Sequence, residues 1–220
     1  MSDNFELLPF EILGEKLKED NQSLERLTPE RQAEEKQIVE AFESKHSIYL
    51  PDSFKSIILT YDLNNFLLGG QWFGGMNYKS YAKEFILDNP FNWSDCSWNN
   101  EPHLHMLFIA NGDPYCLILN SRTGELFAMD DESPIEDVLL VAKDFEHFLR
   151  ARIMAYLMER KYFNKKKNGE KITVEDCQKI EDVANKLSLL VGGEKNNEYW
   201  LEATGSLDFP IRLASYNPSH

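Results

Sequence analysis

Residues 41–59 have the sequence AFESKHSIYLPDSFKSIIL. The stretch breaks at Leu50-Pro51-Asp52, and Pro51 suits the first turn of a new helix because its φ is fixed near the helical value and no backbone donor is needed there. Beyond the break, apolar side chains recur at helical spacing and form one stripe, at Phe54, Ile57, Ile58 and Tyr61. The stretch therefore predicts two helices joined by a tight link.

Upstream of this pair, the pattern predicts a further helical segment. Residues 9–27 have amphipathic spacing that slips near Asn21. Thr28 and Pro29 then form a helix start signal, with Thr28 as N-cap and Pro29 in the first helical position. We expect that helix to run to about Lys45, where the link begins.

Downstream, short apolar runs separated by turn residues predict an antiparallel meander. Its three central strands are expected at 106–110, 115–120 and 125–129, joined by turns at 111–114 and 121–124. A short strand between glycine pairs is expected in 69–75, and an edge strand at 138–141.

The last third of the chain reads as helical. An amphipathic helix is predicted over 143–160 and a capped helix over 173–190, which ends at Gly192-Gly193. Between them lies a basic tract, which we expect to be a solvated loop, with lysines at Lys161, Lys165, Lys166, Lys167 and Lys171.

In this order the segments resemble the Smi/Knr domain of the SUKH superfamily. Besides the helix pair, the resemblance rests on FIANGDPYCLIL at 108–119, GELF at 124–127 and DFEHFL at 144–149, and it spans about 33–156. It implies an α+β fold in which an antiparallel sheet with a meander core is flanked by helices. We expect an N-terminal helical leader at 1–27, the Smi/Knr-like domain at 28–160, and a C-terminal helical extension at 161–220.

Composition narrows the class of protein. At 220 residues and 42% hydrophobic content, the chain can bury one sizeable core, and no apolar run reaches the length of a membrane span. Its start lacks the features of a secretory signal, which predicts a cytoplasmic location. The three cysteines match neither a disulfide framework nor a zinc motif, and we expect Cys116 in the core.

The charge balance permits a basic partner. The net charge is -14, which argues against general nucleic-acid binding because that requires clustered Lys and Arg. Half of the excess lies in residues 124–147, where eight carboxylates face one lysine. A stretch of this kind is most often a solvated surface loop. The alternative is that its carboxylates attract and dock a basic partner.

No pattern typical of catalysis stands out. A nucleophile elbow of the Gly-x-Ser-x-Gly type does not occur, and no carboxylate pair is singled out. His103 and His105 would share one strand face as a possible metal pair, but no further ligands recur at a recognisable spacing. We therefore predict no enzymatic activity, no metal and no cofactor.

The resemblance implies a function in protein binding. SUKH domains are best known as bacterial immunity proteins that neutralise a cognate polymorphic toxin, often a nuclease, and some eukaryotic members scaffold cell-wall regulation. We expect a basic toxin domain as partner, with no nucleic acid or membrane involved, and the regulatory scaffold is the alternative. The predicted partner-binding residues are acidic or aromatic: Asp130, Asp131, Glu132, Glu136, Asp137, Trp93 and Trp98.

Overall fold

The computed structural model describes residues 5–64, 66–73, 81–83, 105–130 and 138–205, except for the side chain of Asp130. The helices of this part of the chain are α1 Phe10–Glu19, α2 Pro29–His46, α3 Asp52–Ile58, α4 Phe145–Lys167, α5 Val174–Leu190 and α6 Glu198–Ala203. The strands are β1 Leu67–Leu68, β2 Gln71–Trp72, β3 Met106–Gly112, β4 Tyr115–Asn120, β5 Leu126–Asp130 and β6 Leu139–Ala142. The architecture is α+β, as the sequence predicts.

The strands form one antiparallel sheet in chain order, β1-β2-β3-β4-β5-β6. In its centre, Leu117 lies opposite Ala128 of β5, and Ile118 lies opposite Phe127. β3 and β4 are joined by the two-residue turn Asp113-Pro114, and the register shifts between Phe108 and Ala110. The predicted central strands are thus confirmed within one or two residues.

The helix starts follow capping chemistry visible in the sequence. The Thr28 hydroxyl accepts the Arg31 amide at the start of α2, and Pro29 occupies the first turn. Thr173 and Asp176 form a capping box at the start of α5. Pro51 lies one residue before α3, with ψ at 141°, so it precedes that helix instead of opening its first turn.

The tight link between α2 and α3 is held by one carboxylate. Glu43 Oε1 accepts the Leu50 amide at 2.8 Å and lies 3.1 Å from Lys55 Nζ. The link therefore connects the two helices through a side chain as well as through the backbone. The apolar stripe of α3 that follows is buried, as its spacing predicts.

The long helix α4 forms the centre of the packing. Phe145 packs edge-on against Phe54 of α3 at 4.9 Å between ring centroids, and Phe148 lies 5.8 Å from the ring of Trp200 in α6. Leu13 and Leu17 of α1 are fully buried in the same core. The leader and the extension thus share one hydrophobic core with the central domain.

The extension also covers one edge of the sheet. Trp200 Nε1 donates to Val141 O at 3.0 Å, Asn197 Nδ2 donates to Leu140 O at 2.9 Å, and the Lys143 amide donates to Val191 O at 2.9 Å. Carbonyls of β6 that would otherwise face outward are therefore hydrogen-bonded by side chains.

The prediction of a solvated loop for the basic tract is wrong for most of its length. α4 continues through Lys167, and Lys165 Nζ lies 2.7 Å from Asp176 Oδ2 at the start of α5. Lysines are favourable in the last turn of a helix because the helix dipole is negative there. This placement, together with the ion pair, explains why the tract extends the helix.

Candidate protein-interaction site

Two turns and one strand end lie at the same end of the sheet, which we call the acidic end. They are the β1–β2 turn at Gly69-Gly70, the β3–β4 turn at Asp113-Pro114, and the end of β5 at Asp130. The strand register requires this arrangement, because Gln71 lies opposite Gly112 and Tyr115 lies opposite Asp130.

One predicted partner-binding residue lies at the acidic end. Asp130 is the last residue of β5, so the acidic segment 131–137 starts there, and the chain re-enters the sheet at Leu139. The other six predicted residues lie outside the described part of the chain: Asp131, Glu132, Glu136, Asp137, Trp93 and Trp98. Their involvement in binding remains a prediction.

The acidic end contains an open pocket of about 50 Å³. The β1–β2 and β3–β4 turns form one side of this pocket, and helices α4 and α6 form the other. Its polar lining comes from Gln71, Asp113, Arg152, Glu159, Tyr199 and Glu202.

Arg152 belongs to the interior of this site. Its side chain reaches between two elements, donating to Leu68 O at 2.5 Å and to Ala203 O at 3.5 Å, and the residue is only 4% exposed. A buried guanidinium that donates to carbonyls on two elements holds β1 and α6 in a fixed relation.

A neutral hydrogen-bonded pair supports the pocket beside Arg152. The Tyr199 hydroxyl donates to Gln71 Oε1 at 3.2 Å, and Gln71 Nε2 donates to Asn111 O on β3. Burial raises the pKa of Tyr199 to about 12, so this hydroxyl keeps its proton and remains a donor at neutral pH.

The charge of the lining is unbalanced. Among the described residues that line the pocket, Asp113, Glu159 and Glu202 are acidic and Arg152 is basic. Asp113 is exposed, and Glu159 and Glu202 are half-buried. The lining is therefore of mixed charge, with more acidic than basic side chains.

The turns beside the pocket are packed too closely for side chains. A Cβ added at Gly70 would lie 2.4 Å from Asp113 O, which is a backbone atom. Gly69 has a φ of 58°, and a Cβ there would meet Glu159 Oε2 at 2.8 Å and the Arg152 guanidinium at 2.9 Å. The approach of the Asp113 backbone therefore requires glycine at Gly70, whereas at Gly69 the close atoms are side-chain ends and the positive φ favours glycine.

The pocket residues could not be predicted as a group from the sequence. Arg152 carried the one usable signal, because it falls between Phe148 and Tyr156 at spacings of four on the buried face of α4. A charged residue within an apolar stripe indicates a buried polar contact. Tyr199 and Glu202 carried no comparable signal.

Of the two histidines considered as a possible metal pair, the structure describes only His105. His105 Nδ1 lies 3.5 Å from Ser121 Oγ, and partial burial is the main cause that lowers its pKa. His103 lies outside the described residues. Within the described ranges, no group of three His, Cys, Asp or Glu side chains is arranged to hold a metal ion.

The antiparallel meander flanked by helices agrees with the fold that the Smi/Knr resemblance implies, and comparison with known families identifies the family. The model of the SMI1/KNR4 family (SUKH-1) matches residues 33–151, more than half of the chain. The chain belongs to this family. Searches of curated proteins and of solved structures found no significant match. Among the described helices, none has the length and apolar character needed to cross a membrane.

Proposed function

We propose that this chain is a non-enzymatic immunity protein that binds and neutralises a cognate polymorphic toxin in the cytoplasm. Membership of the SMI1/KNR4 family is the observation that carries the proposal, because SUKH domains are best known in this role. Inhibition would be stoichiometric, with the bound protein covering the surface that the toxin uses on its own substrate.

The charge distribution supports a basic partner. The net charge of -14 raises the association rate with a positively charged surface, and a nuclease toxin presents such a surface to bind phosphates. At the acidic end, β5 leads into the segment 131–137, and the carboxylate-lined pocket lies at the same end. We expect the toxin to dock there.

The decisive experiment is co-purification of the tagged protein with the polymorphic toxin domain encoded beside it. We expect a one-to-one complex that abolishes toxin activity and weakens as salt is raised. Binding without inhibition would contradict the immunity role. Failure to bind the neighbouring toxin would favour the regulatory scaffold, for which a broader partner screen is the next measurement.

A further inference from the structure

We infer that residues 207–213, which follow the described part of the chain, add to the sheet as a further antiparallel strand beside β1. The inference does not depend on the proposed function. It assigns an occupant to the edge of the sheet opposite the one that α6 covers.

β1 presents an open backbone edge. It is the first strand in the order of the sheet, and among the described residues no strand lies on its other side. The Phe73 amide donates to Phe66 O at 2.9 Å, so the Phe66 carbonyl is directed toward β2. Leu67 is the next residue, and in an antiparallel pair its amide and carbonyl therefore point away from β2, where a further strand would pair.

Apolar surface is exposed at the same position. Leu67 is 41% exposed, whereas its neighbours Phe66 and Leu68 are buried on the opposite face of the strand. Trp72 lies opposite Leu67 in β2 and is half-buried. Directly opposed residues of antiparallel strands share one face, so a strand beside β1 would place side chains against this pair.

The chain leaves α6 beside β1. The Arg152 guanidinium bridges the ends of the two elements, donating to Leu68 O at 2.5 Å and to Ala203 O at 3.5 Å. Gly205 is the last described residue, and its φ of 74° turns the chain out of the helix. β1 runs toward this end of the sheet, so a segment that starts here and follows β1 is antiparallel to it.

The sequence of residues 207–213, LDFPIRL, fits an edge strand. Every second residue is apolar, which is the period of a strand: Leu207, Phe209, Ile211 and Leu213. Alternate residues of a strand direct their backbone groups to the same side. When Phe209 pairs with Leu67, Pro210 faces away from β1, and that is where a residue without an amide is tolerated.

This register fits the length of chain available. Four residues lead from Gly205 to Phe209 and span up to about 13 Å when extended, enough to reach Leu67 from the end of β1. The Phe209 ring then packs on Leu67 and Trp72. The added strand closes the edge against association with other chains, and a partner reaches β1 only by displacing it.

The test measures hydrogen exchange of the Leu67 amide by NMR in the full ¹⁵N-labelled chain. This amide donates to the Phe209 carbonyl in the inferred pairing, and Phe209→Pro removes the reciprocal donor to Leu67 O. We expect exchange about tenfold faster in Phe209→Pro than in the wild type. Asp208→Pro is the matched control, because the amide that it removes faces away from β1, and it should leave exchange within about twofold of the wild type.

The amides of Leu117 and Ile118, in the centre of the sheet, check that both variants fold. Exchange of Leu67 that is equally fast in the wild type and in Phe209→Pro would overturn the inference. Equal acceleration by both proline variants would do the same, since a strand distinguishes the two positions. Protection of Leu67 that grows with protein concentration would assign the edge to a second copy of the chain and would also overturn it.

Discussion

At the scale of single residues, Asp20 shows how the leader is attached to α4. Its carboxylate accepts two hydrogen bonds from the Arg160 guanidinium, at 2.7 and 3.1 Å, and one from the Tyr156 hydroxyl. The hydrogen bond from Arg160 is the main cause that lowers the pKa of Asp20 below its ordinary value of 3.8.

The lowered pKa of Asp20 means that its contribution to stability decreases as the pH falls. The carboxyl group binds a proton more readily in the unfolded chain, so its stabilising effect is present above about pH 4 and is lost as pH falls through the lowered pKa. We expect Asp20→Asn to lower the free energy of unfolding by about 1–2 kcal/mol at pH 7 and to flatten the acid limb of the stability curve. Urea unfolding at several pH values measures both effects.

The neighbouring exposed residue provides the control. Glu19→Gln removes the carboxylate at the last residue of α1 without touching Arg160, and it should leave the unfolding free energy within about 0.5 kcal/mol of the wild type. An acid limb that is unchanged by Asp20→Asn would show that this contact does not control acid stability.

Two glycines give opposite expectations for the same substitution. Gly70→Ala would place a methyl group 2.4 Å from a backbone oxygen and should destabilise the protein by about 1–3 kcal/mol. Gly14→Ala lies within α1, where nothing approaches within 4 Å, and should stabilise it by about 0.5–1 kcal/mol. Urea midpoints of the two variants test the pair, and equal shifts would contradict the packing at the β1–β2 turn.

The roles of residues that act on their sequence neighbours could be predicted, whereas contacts between residues far apart in the sequence could not. The caps Thr28 and Thr173 act within three residues of themselves, and Cys116 is buried as its strand pattern indicates. Arg152 contacts Leu68 and Ala203, which lie far from it in sequence, and no periodicity encodes that contact. Its place at the pocket becomes visible only after the chain has folded.

At the scale of elements, α6 acts as a cover for the edge strand β6. Trp200 is fully buried and combines a hydrogen bond to Val141 O with ring contacts to Phe148 and Tyr199. The sequence shows Tyr199-Trp200-Leu201 only as an apolar island, because the edge that it covers lies about sixty residues away. An exposed strand edge promotes association between chains.

Substitution of Trp200 separates packing from hydrogen bonding. Trp200→Ala should lower the free energy of unfolding by about 3–5 kcal/mol and cause aggregation on mild heating, because it removes a buried ring and uncovers β6. Trp200→Phe keeps most of the ring packing and leaves Val141 O without its donor, so a loss of about 1–2 kcal/mol is expected. Thermal unfolding with light scattering distinguishes the two, and equal losses would show that the hydrogen bond dominates.

At the scale of the whole molecule, the order of elements was predictable and the surface was not. The helix pair, the meander and the closing helix follow in the sequence as they follow in the fold, since each is defined by local periodicity. The acidic end joins Gly70, Asp113, Glu159 and Glu202 from four separate elements. The extension that supplies Glu202 also lies beyond the family match at 33–151.

Net charge is a property of the whole chain, and it determines how the proposed complex should respond to salt. A net charge of -14 produces an electric field that reaches beyond any single contact. At physiological ionic strength, salt screens this field over a distance of about 8 Å. We therefore expect the association rate constant with a basic toxin domain to fall by at least tenfold between low and high salt, and the dissociation rate constant to change much less. Stopped-flow mixing across a salt series measures both.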